Sequence, residues 1–290
     1  MSQADHSHLP YRLHLPEVLT SGVVFASPHS GRQYPQEFVR RAQLDLLRLR
    51  SSEDAFVDRL LGMVPHHGAT LLEANYPRAY VDLNRGEEEL DPALIDGVAR
   101  GSGGARAAMG LGVIPRVVSG GREIFMGKIP QAEAKARIEA VWRPYHARLG
   151  ALLQERRARF GRAILFDVHS MPSEASTPRQ RCAEIVLGDR FGTSAKSETM
   201  HHVESVFRRA GLSVARNTPF AGAYIVQRYG RPASGIEVIQ IEISRALYMD
   251  EERIEPLPHF EMFAALIGAV SAELAELVRG RGDAGQMAAE

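Results

Sequence analysis

The sequence predicts an α/β fold in which a layered sheet carries helices on both faces. Short apolar runs typical of buried strands alternate with longer segments of helical periodicity. No repeat, low-complexity tract or Pro/Ser-rich linker divides the 290 residues. We therefore expect one domain over residues 1–290, with residues 1–15 as a loose N-terminal arm.

The composition excludes several classes of protein. Hydrophobic residues make up 44% of the chain and charged residues 24%, as in ordinary globular proteins. The formal net charge is +0, and basic residues do not interleave with aromatic ones, so we expect no nucleic-acid partner. The N-terminus lacks an apolar signal segment, and polar residues interrupt the apolar run at 262–278. We therefore expect a cytoplasmic protein that does not span a membrane.

The cysteine content limits the kinds of metal site. Cys182 is the single cysteine, so it forms no internal disulfide and no cysteine-rich zinc site. Any metal bound by this chain must therefore be held by histidine and carboxylate side chains.

The N-terminal half supplies three predicted strands and two predicted helices. Its apolar runs are bounded by Gly and Pro, as expected of short buried strands. Ser51 or Ser52 is a suitable N-cap for the second helix, and the acids that follow suit the positive end of a helix. In chain order we expect a strand at 22–26, helices at 36–49 and from Glu53 onward, and strands at 68–73 and 79–83.

The C-terminal half continues this alternation after an irregular, glycine-rich stretch at 86–122. A stretch of this kind is typical of a binding segment, and a solvated insertion is an equal alternative. The helical pattern that follows contains Pro144, which should kink or divide the helix. We expect a helix at 131–158, strands at 163–168 and 184–187, a helix at 196–210, strands at 224–226 and 238–243, and a closing helix at 259–279.

Residues capable of chemistry follow two of the predicted strands. His29 follows the first strand and His169 follows the strand at 163–168, where open α/β sheets bind ligands. Glu53 and Asp54 begin the second helix. Two imidazoles and one carboxylate are the protein ligands of many catalytic zinc sites. Structural histidines and helix-capping acids give the same pattern, so these residues alone leave both interpretations open.

The surroundings of His169 give one further candidate. Asp167 lies on the same face of the strand as His169, and Ser170 and Pro172 should begin a loop. Metal-bound imidazoles usually donate their other N–H group to a carboxylate or carbonyl. Because side chains two residues apart diverge, we do not expect Asp167 to reach this N–H group.

The strand at 238–243 carries a carboxylate among isoleucines. Glu242 shares one face of this strand with Gln240 and Ser244, and the isoleucines share the other. A buried carboxylate must be paired, lie near a metal or have a function. An ion pair with an arginine such as Arg245 or Arg78 is as consistent with the pattern as a catalytic role.

A cluster of donors flanks the predicted strand at 79–83. Arg78, Asn84 and Arg85 surround it, with Asp82 between them. Arginine binds carboxylates through a rigid fork of two donors, so this set is suited to an acidic substrate. Exposed arginines without a ligand are the alternative.

Six sequence blocks occur in a fixed order along the chain. They are Ser-Pro-His-Ser-Gly at 27–31, Glu-Asp-Ala-Phe-Val-Asp-Arg-Leu at 53–60, Pro-Arg-Ala-Tyr-Val-Asp-Leu-Asn-Arg at 77–85, Asp-Val-His-Ser-Met-Pro at 167–172, Tyr-Ile-Val-Gln-Arg-Tyr-Gly at 224–230 and Gln-Ile-Glu-Ile-Ser-Arg at 240–245. Taken together, they resemble the N-formylglutamate amidohydrolase (deformylase) family over about residues 20–275. The resemblance implies a three-layer α/β/α fold with a mixed central sheet of the phosphorylase/hydrolase type, as in the zinc carboxypeptidases and the succinylglutamate desuccinylase/aspartoacylase group.

The resemblance also implies an activity and a cofactor. The activity is hydrolysis of the formamide bond of N-formyl-L-glutamate to formate and L-glutamate, as in histidine degradation. One Zn²⁺ per chain would be held by His29, Asp54 and His169, with Glu53 as the alternative carboxylate. Glu242 matches the general base of a carboxypeptidase-like mechanism.

Further residues match substrate-binding positions of the wider group. Arg78 matches an arginine near the scissile carbonyl, and Asn84 with Arg85 matches a pair that binds the substrate carboxylate. Arg245 or Arg228 would hold the second carboxylate, and Tyr224 is a candidate substrate contact. The expected partner is therefore a small acidic molecule. Another N-acyl amino acid, a peptide-like amide, or non-catalytic binding of an acidic metabolite remain alternatives.

Overall fold

The computed structural model describes residues 9–99, 101, 103–173 and 183–280. Within these residues, seven strands form one mixed sheet. In chain order they are β1 (Tyr11–His14), β2 (Val23–Ser27), β3 (Thr70–Ala74), β4 (Ala163–Met171), β5 (Ile185–Gly188), β6 (Val214–Arg216) and β7 (Ile236–Ser244). Their order across the sheet is β1-β3-β2-β4-β7-β5-β6.

The directions of the strands explain why the sheet is mixed. Strands β3, β2, β4 and β7 are parallel to one another, whereas β1 is antiparallel to β3, and β5 is antiparallel to β7. Strand β6 is parallel to β5. The carboxyl ends of the four central strands therefore meet at one edge of the sheet, where α/β folds place their sites.

Helices cover both faces of the sheet, which confirms the predicted three-layer α/β/α fold. The α-helices are α1 (Gln36–Arg41), α2 (Leu46–Arg50), α3 (Val57–Leu60), α4 (Gly104–Ala108), α5 (Gln131–Arg137), α6 (Arg143–Phe160), α7 (Ser197–Arg209), α8 (Tyr224–Tyr229) and α9 (Phe260–Ala275). One apolar core lies between the sheet and α3, α7 and α9, and a second lies between the sheet and α5, α6 and α8. No helix of the described residues is both long and apolar enough to cross a membrane.

The alternation of side chains along the central strands decides which face carries the site. In β2, Val23 and Phe25 join the first core, and Val24 and Ala26 join the second. Strands buried on both faces read as continuous apolar runs, which is why this one was predictable. In β4 and β7 the residues on the α6 and α8 side become polar toward the carboxyl end, so the polar groups lie on that face.

The N-terminal arm is less loose than predicted. Tyr11–His14 is an edge strand, and Arg12 forms an ion pair of 3.0 Å with Glu73 of the adjacent strand. Alternating half-buried and exposed residues suit such an edge. The part of the predicted arm at 1–8 lies outside the described residues.

Two predicted strands were wrong. Residues 79–83 form turns whose backbone N–H groups bond to loop carbonyls, such as that of Asp82 to Val113 at 2.8 Å. Residues 224–226 begin α8. Short apolar runs do not distinguish a strand from a buried turn or helix, because burial of the side chains is the same in each case.

Several predicted boundaries were also wrong. The helix expected at 36–49 is two short helices, and α2 begins where Asp45 accepts a hydrogen bond from the N–H group of Arg48. Glu53 and Asp54 precede α3 in a turn and do not begin the helix. Strand β4 continues to Met171 because it pairs with β7 through that residue. The predicted loop at Ser170 is therefore strand.

The long helix at 131–160 was predicted correctly, with a local irregularity. A π-helical turn, Ile138–Trp142, joins α5 to α6 immediately before Pro144. The helix continues past the proline instead of dividing. Most of the stretch at 86–122 is irregular as expected, but its buried side chains such as Ile95 and Ile114 join the second core. It is therefore a packed part of the fold and not a solvated insertion.

His146 of α6 gives the protein a specific sensitivity to acid. Its ring nitrogens contact the hydroxyl of Tyr229 at 2.9 Å and the carbonyl of Leu83 at 2.9 Å. Burial lowers the pKa of His146 from 6.5 to about 3. The contribution of neutral His146 to the free energy of unfolding is thus complete above pH 6.5 and is lost as the pH falls toward 3. This loss occurs because His146 binds a proton at a higher pH in the unfolded chain than in the folded chain.

We expect this one residue to cost about 1.4 kcal/mol of unfolding free energy per pH unit between pH 6 and 4. His146→Gln keeps a donor and an acceptor but does not titrate, so the variant should lose less stability over this range. Urea unfolding at pH 6, 5 and 4 measures the difference. His202→Gln, at an exposed position on α7, is the control, and equal pH slopes for all three proteins would disprove the assignment.

Candidate metal centre and active site

Three buried side chains converge at the carboxyl edge of the sheet: His29 after β2, Asp54 before α3 and His169 in β4. His169 Nδ1 lies 3.0 Å from Asp54 Oδ2 and 3.1 Å from His29 Nδ1. His29 Nδ1 lies 3.4 Å from Asp54 Oδ2. Donor atoms bound tetrahedrally to one Zn²⁺ at about 2.0–2.1 Å are about 3.3 Å apart. The three donors are therefore spaced to hold one ion.

Each imidazole also has a carboxylate on its outer nitrogen. Asp82 Oδ1 lies 2.8 Å from His29 Nε2, and Asp167 Oδ2 lies 3.0 Å from His169 Nε2. The carboxylate of Asp82 favours the tautomer of His29 whose inner nitrogen, Nδ1, has a free lone pair. Asp167 therefore lies beside the ring of His169, although it accepts no hydrogen bond of good geometry from the N–H group, as expected. The contact is mainly electrostatic, because neither Asp167 oxygen has a hydrogen bond of good geometry to a described residue.

The side chains of the two adjacent acids, Glu53 and Asp54, point in different directions. The carboxylate of Asp54 faces the histidines, whereas Glu53 turns away and accepts hydrogen bonds from Tyr34 at 2.7 Å and Arg50 at 3.2 Å. Burial opposes the ionisation of Asp54, but hydrogen bonds to the two histidines outweigh it, and the pKa of Asp54 is well below its usual range. Asp54 is thus an anion placed to bind a cation.

Glu242 lies beside this centre because β7 pairs with β4 in a register that sets it opposite His169. Its Oε1 accepts a hydrogen bond of 2.7 Å from Gln240. Burial raises the pKa of Glu242 to about 7. A carboxyl group with such a pKa can both accept and return a proton near neutral pH.

Two spaces meet at Glu242. A polar cavity of ≈ 380 Å³ is lined by His29, His169, Arg85 and Glu242, and a separate cleft of ≈ 430 Å³ has a largely apolar lining. Glu242, Arg78 and Phe220 border both spaces. Two larger surface cavities, of ≈ 900 and ≈ 860 Å³, contain neither histidine of the centre. We therefore place the candidate active site at the border of the two smaller spaces.

Comparison with known proteins gives the family. The sequence model described as N-formylglutamate amidohydrolase matches residues 21–249. This chain belongs to the N-formylglutamate amidohydrolase family. The N-formylglutamate deformylases of Pseudomonas aeruginosa and Pseudomonas putida are 30% and 29% identical to it, over 88% and 83% of this chain and 91% and 86% of theirs.

A solved relative confirms the fold. The crystal structure of N-formylglutamate amidohydrolase from Ralstonia eutropha JMP134 matches with a TM-score of 0.87 and 37% sequence identity. The match covers 93% of this chain and 98% of that chain. The family resemblance seen in the six sequence blocks is therefore confirmed, together with the α/β architecture that it implied.

In this member of the N-formylglutamate amidohydrolase family, the predicted substrate-binding pair, Asn84 and Arg85, already forms hydrogen bonds within the protein. Asn84 Oδ1 accepts a hydrogen bond of 2.8 Å from the N–H group of Ile225, and Asn84 Nδ2 lies 3.2 Å from His169 Nε2. Arg85 donates to the carbonyls of Leu111 at 2.9 Å and Asn84 at 2.7 Å. Both residues line the polar cavity, with their positions set by these contacts.

Arg245 and Tyr224 lie outside the polar cavity. Arg245 lines the apolar cleft and donates to Ser170 at 3.0 Å, to the carbonyl of Glu53 at 2.6 Å and to Asp54 Oδ1 at 3.3 Å. These contacts hold the turn that carries Asp54. Tyr224 lines the neighbouring cavity of ≈ 860 Å³, where its hydroxyl accepts a hydrogen bond of 2.9 Å from Arg228.

Sequence reasoning missed Arg106. This residue of α4 lines the polar cavity and forms no ion pair with a described residue. It lies close enough to Arg85 that, after burial, its charge helps to lower the pKa of that arginine. A single arginine in a glycine- and alanine-rich stretch gives no sequence signal, so only the packing of 86–122 onto the core reveals it.

Proposed function

We propose that this protein hydrolyses N-formyl-L-glutamate to formate and L-glutamate, with one Zn²⁺ held by His29, Asp54 and His169. The observation that carries the proposal is the position of Glu242 beside these three donors. Membership of the family and the names of the Pseudomonas relatives support the substrate. The spacing and charge of the three donors support the metal.

Glu242 and Arg78 have different roles in the proposed reaction. A bound Zn²⁺ supplies a Lewis acid and lowers the pKa of a water ligand to about 7. Glu242 takes a proton from the attacking water and returns it to the departing nitrogen, as the water oxygen bonds to the formyl carbon and the C–N bond breaks. Arg78, held by a 2.9 Å ion pair with Asp82, stabilises the negative charge that develops on the carbonyl oxygen.

Two arginines are available for the two carboxylates of the substrate. Arg85 and Arg106 line the polar cavity, and neither forms an ion pair with a described residue. Their mutual repulsion is relieved when an anion lies between them. We assign them to the α- and side-chain carboxylates of N-formyl-L-glutamate. In this assignment Arg106 replaces Arg245 or Arg228, which the resemblance implied for the second carboxylate.

Formate release tests both the activity and this assignment. The wild-type protein should release formate and glutamate in equal amounts from N-formyl-L-glutamate, and more slowly from N-formyl-L-glutamine. Arg106→Gln should raise KM for N-formyl-L-glutamate about tenfold, because a hydrogen bond to a charged group contributes about 1.5–3 kcal/mol and the exposed Arg106 belongs at the low end of that range. We expect kcat to change by less than about threefold.

Arg231→Gln is the matched control, since this arginine lines the neighbouring cavity and not the polar one. It should leave KM unchanged. Wild-type protein that binds glutamate without turnover would instead support a non-catalytic binder. Formate release with an unchanged KM in Arg106→Gln would reject the assignment of Arg106 to a substrate carboxylate and leave the proposed activity standing.

A further inference from the structure

The apolar cleft beside Glu242 is not explained by a formyl group. Its walls include Met109, Leu111, Pro115 and Val118, all from the stretch at 86–122. A formyl group has two heavy atoms and occupies about the space of one or two water molecules, roughly 30–60 Å³. The cleft measures ≈ 430 Å³. A formyl group at Glu242 therefore leaves most of it unfilled.

The arginines of the cleft are less available to a substrate carboxylate than those of the polar cavity. Its two arginines are already paired, Arg78 with Asp82 at 2.9 Å and Arg245 with Asp54 at 3.3 Å. Arg245 also donates to Ser170 at 3.0 Å. In contrast, the polar cavity on the other side of Glu242 contains two arginines without a carboxylate partner among the described residues. The carboxylates of a substrate thus belong in the polar cavity, and an uncharged group belongs in the cleft.

The position of the catalytic groups orients the substrate between the two spaces. Glu242 and Arg78 border both the cavity and the cleft, so an amide that reacts there lies at the border. With its amino-acid part among the arginines, the amide directs its acyl part into the cleft. An acyl chain longer than formyl would bury its methylene groups against the apolar wall.

We infer that the site also hydrolyses N-acyl-L-glutamates whose acyl group is a short linear alkyl chain. This inference rests on the proposed function. The water oxygen bonds to the acyl carbon, the C–N bond breaks, and Glu242 transfers the proton from water to nitrogen. The products are a linear carboxylate and L-glutamate.

A series of acyl lengths tests the inference. N-acetyl-, N-butyryl- and N-hexanoyl-L-glutamate have amides of similar intrinsic reactivity, so kcat/KM compares their binding to the cleft. We expect kcat/KM to rise about two- to fourfold per added methylene group. If N-formyl-L-glutamate is hydrolysed and kcat/KM falls from acetyl to hexanoyl, the inference is wrong and the proposed function stands. If no formate is released, the proposed function itself fails.

A substitution at the rim of the cleft tests whether the acyl chain of the substrate binds there. Met109 lines the cleft and is 67% exposed, so Met109→Trp adds bulk there without disturbing the core. It should lower the hexanoyl-to-acetyl ratio of kcat/KM at least tenfold. Met126→Trp, at a methionine that is 85% exposed, is the control and should leave the ratio unchanged. An unchanged ratio in Met109→Trp would place the acyl chain elsewhere.

A binding measurement separates affinity from turnover. In the Glu242→Gln variant, calorimetry should show N-hexanoyl-L-glutamate binding more tightly than N-acetyl-L-glutamate, by about two- to fourfold per methylene group. Tighter binding of N-formyl-L-leucine than of either acyl-glutamate would assign the cleft to an amino-acid side chain and overturn the inference.

Discussion

Replacing Glu242 by Gln should lower kcat for N-formyl-L-glutamate by about 100- to 10 000-fold, the usual contribution of a general base. Gln is isosteric and can keep the hydrogen bond to Gln240, but it cannot accept a proton from water. Substrate binding should be little changed, because the arginines of the polar cavity remain. Initial rates of formate release, with calorimetric binding of the substrate, measure the two effects separately.

The matched control for this variant lies on the same strand. Glu237 is also a buried carboxylate of β7, but it is at the opposite end of the strand and contacts the N–H group of Lys196 at 2.9 Å. Glu237→Gln should leave kcat within about twofold, even where stability falls. Full activity in Glu242→Gln would reject Glu242 as the base.

Replacing Asp54 by Asn should abolish tight metal binding and lower activity by at least about 1000-fold, because the site loses its anionic ligand. Metal content measured after dialysis against Zn²⁺ should fall from one ion per chain to well below one. Wild-type protein should gain about 2.7 kcal/mol of unfolding free energy at a Zn²⁺ concentration 100 times its Kd. The Asp54→Asn variant should gain much less at the same concentration.

The neighbouring acid provides the control for the metal site. The Glu53 side chain contacts Tyr34 and Arg50 instead of the histidines, so Glu53→Gln should keep one Zn²⁺ per chain. Loss of metal in Glu53→Gln with full retention in Asp54→Asn would reverse the ligand assignment. Wild-type protein that takes up no Zn²⁺ and is not stabilised by it would exclude the proposed zinc centre.

Much of the fold was predictable because local patterns coincide with the tertiary structure. The alternating residues of β7 place three isoleucines in one core and Glu242 on the opposite face, as the sequence indicates. The apolar run of β4 leads directly to His169. The turn residues at 79–83 and the helix that begins at Tyr224 were misassigned, because apolar runs of three to five residues suit several structures.

The site itself depends on contacts between distant parts of the chain. The sequence named Asp54 as the carboxylate ligand with Glu53 as the alternative, and a hydrogen bond of 3.0 Å from the N–H group of Asp54 to the carbonyl of His29 orients this turn in the structure. Arg245 is a candidate substrate ligand from the sequence, and in the structure it donates to Ser170 and to the carbonyl of Glu53. The direction of each side chain depends on these contacts between distant residues.

The sequence by itself determined the α/β class, the family and the residue types that reach the carboxyl edge of the sheet, because strand periodicity and motif order are local properties. Only the tertiary structure decided which acid faces the histidines, that Asp167 lies 3.0 Å from His169, and that Arg106 lines the polar cavity. It also showed that the segment carrying Arg106 walls an apolar cleft beside Glu242. These features depend on side-chain direction and on the packing of a long irregular segment, which distant parts of the chain impose.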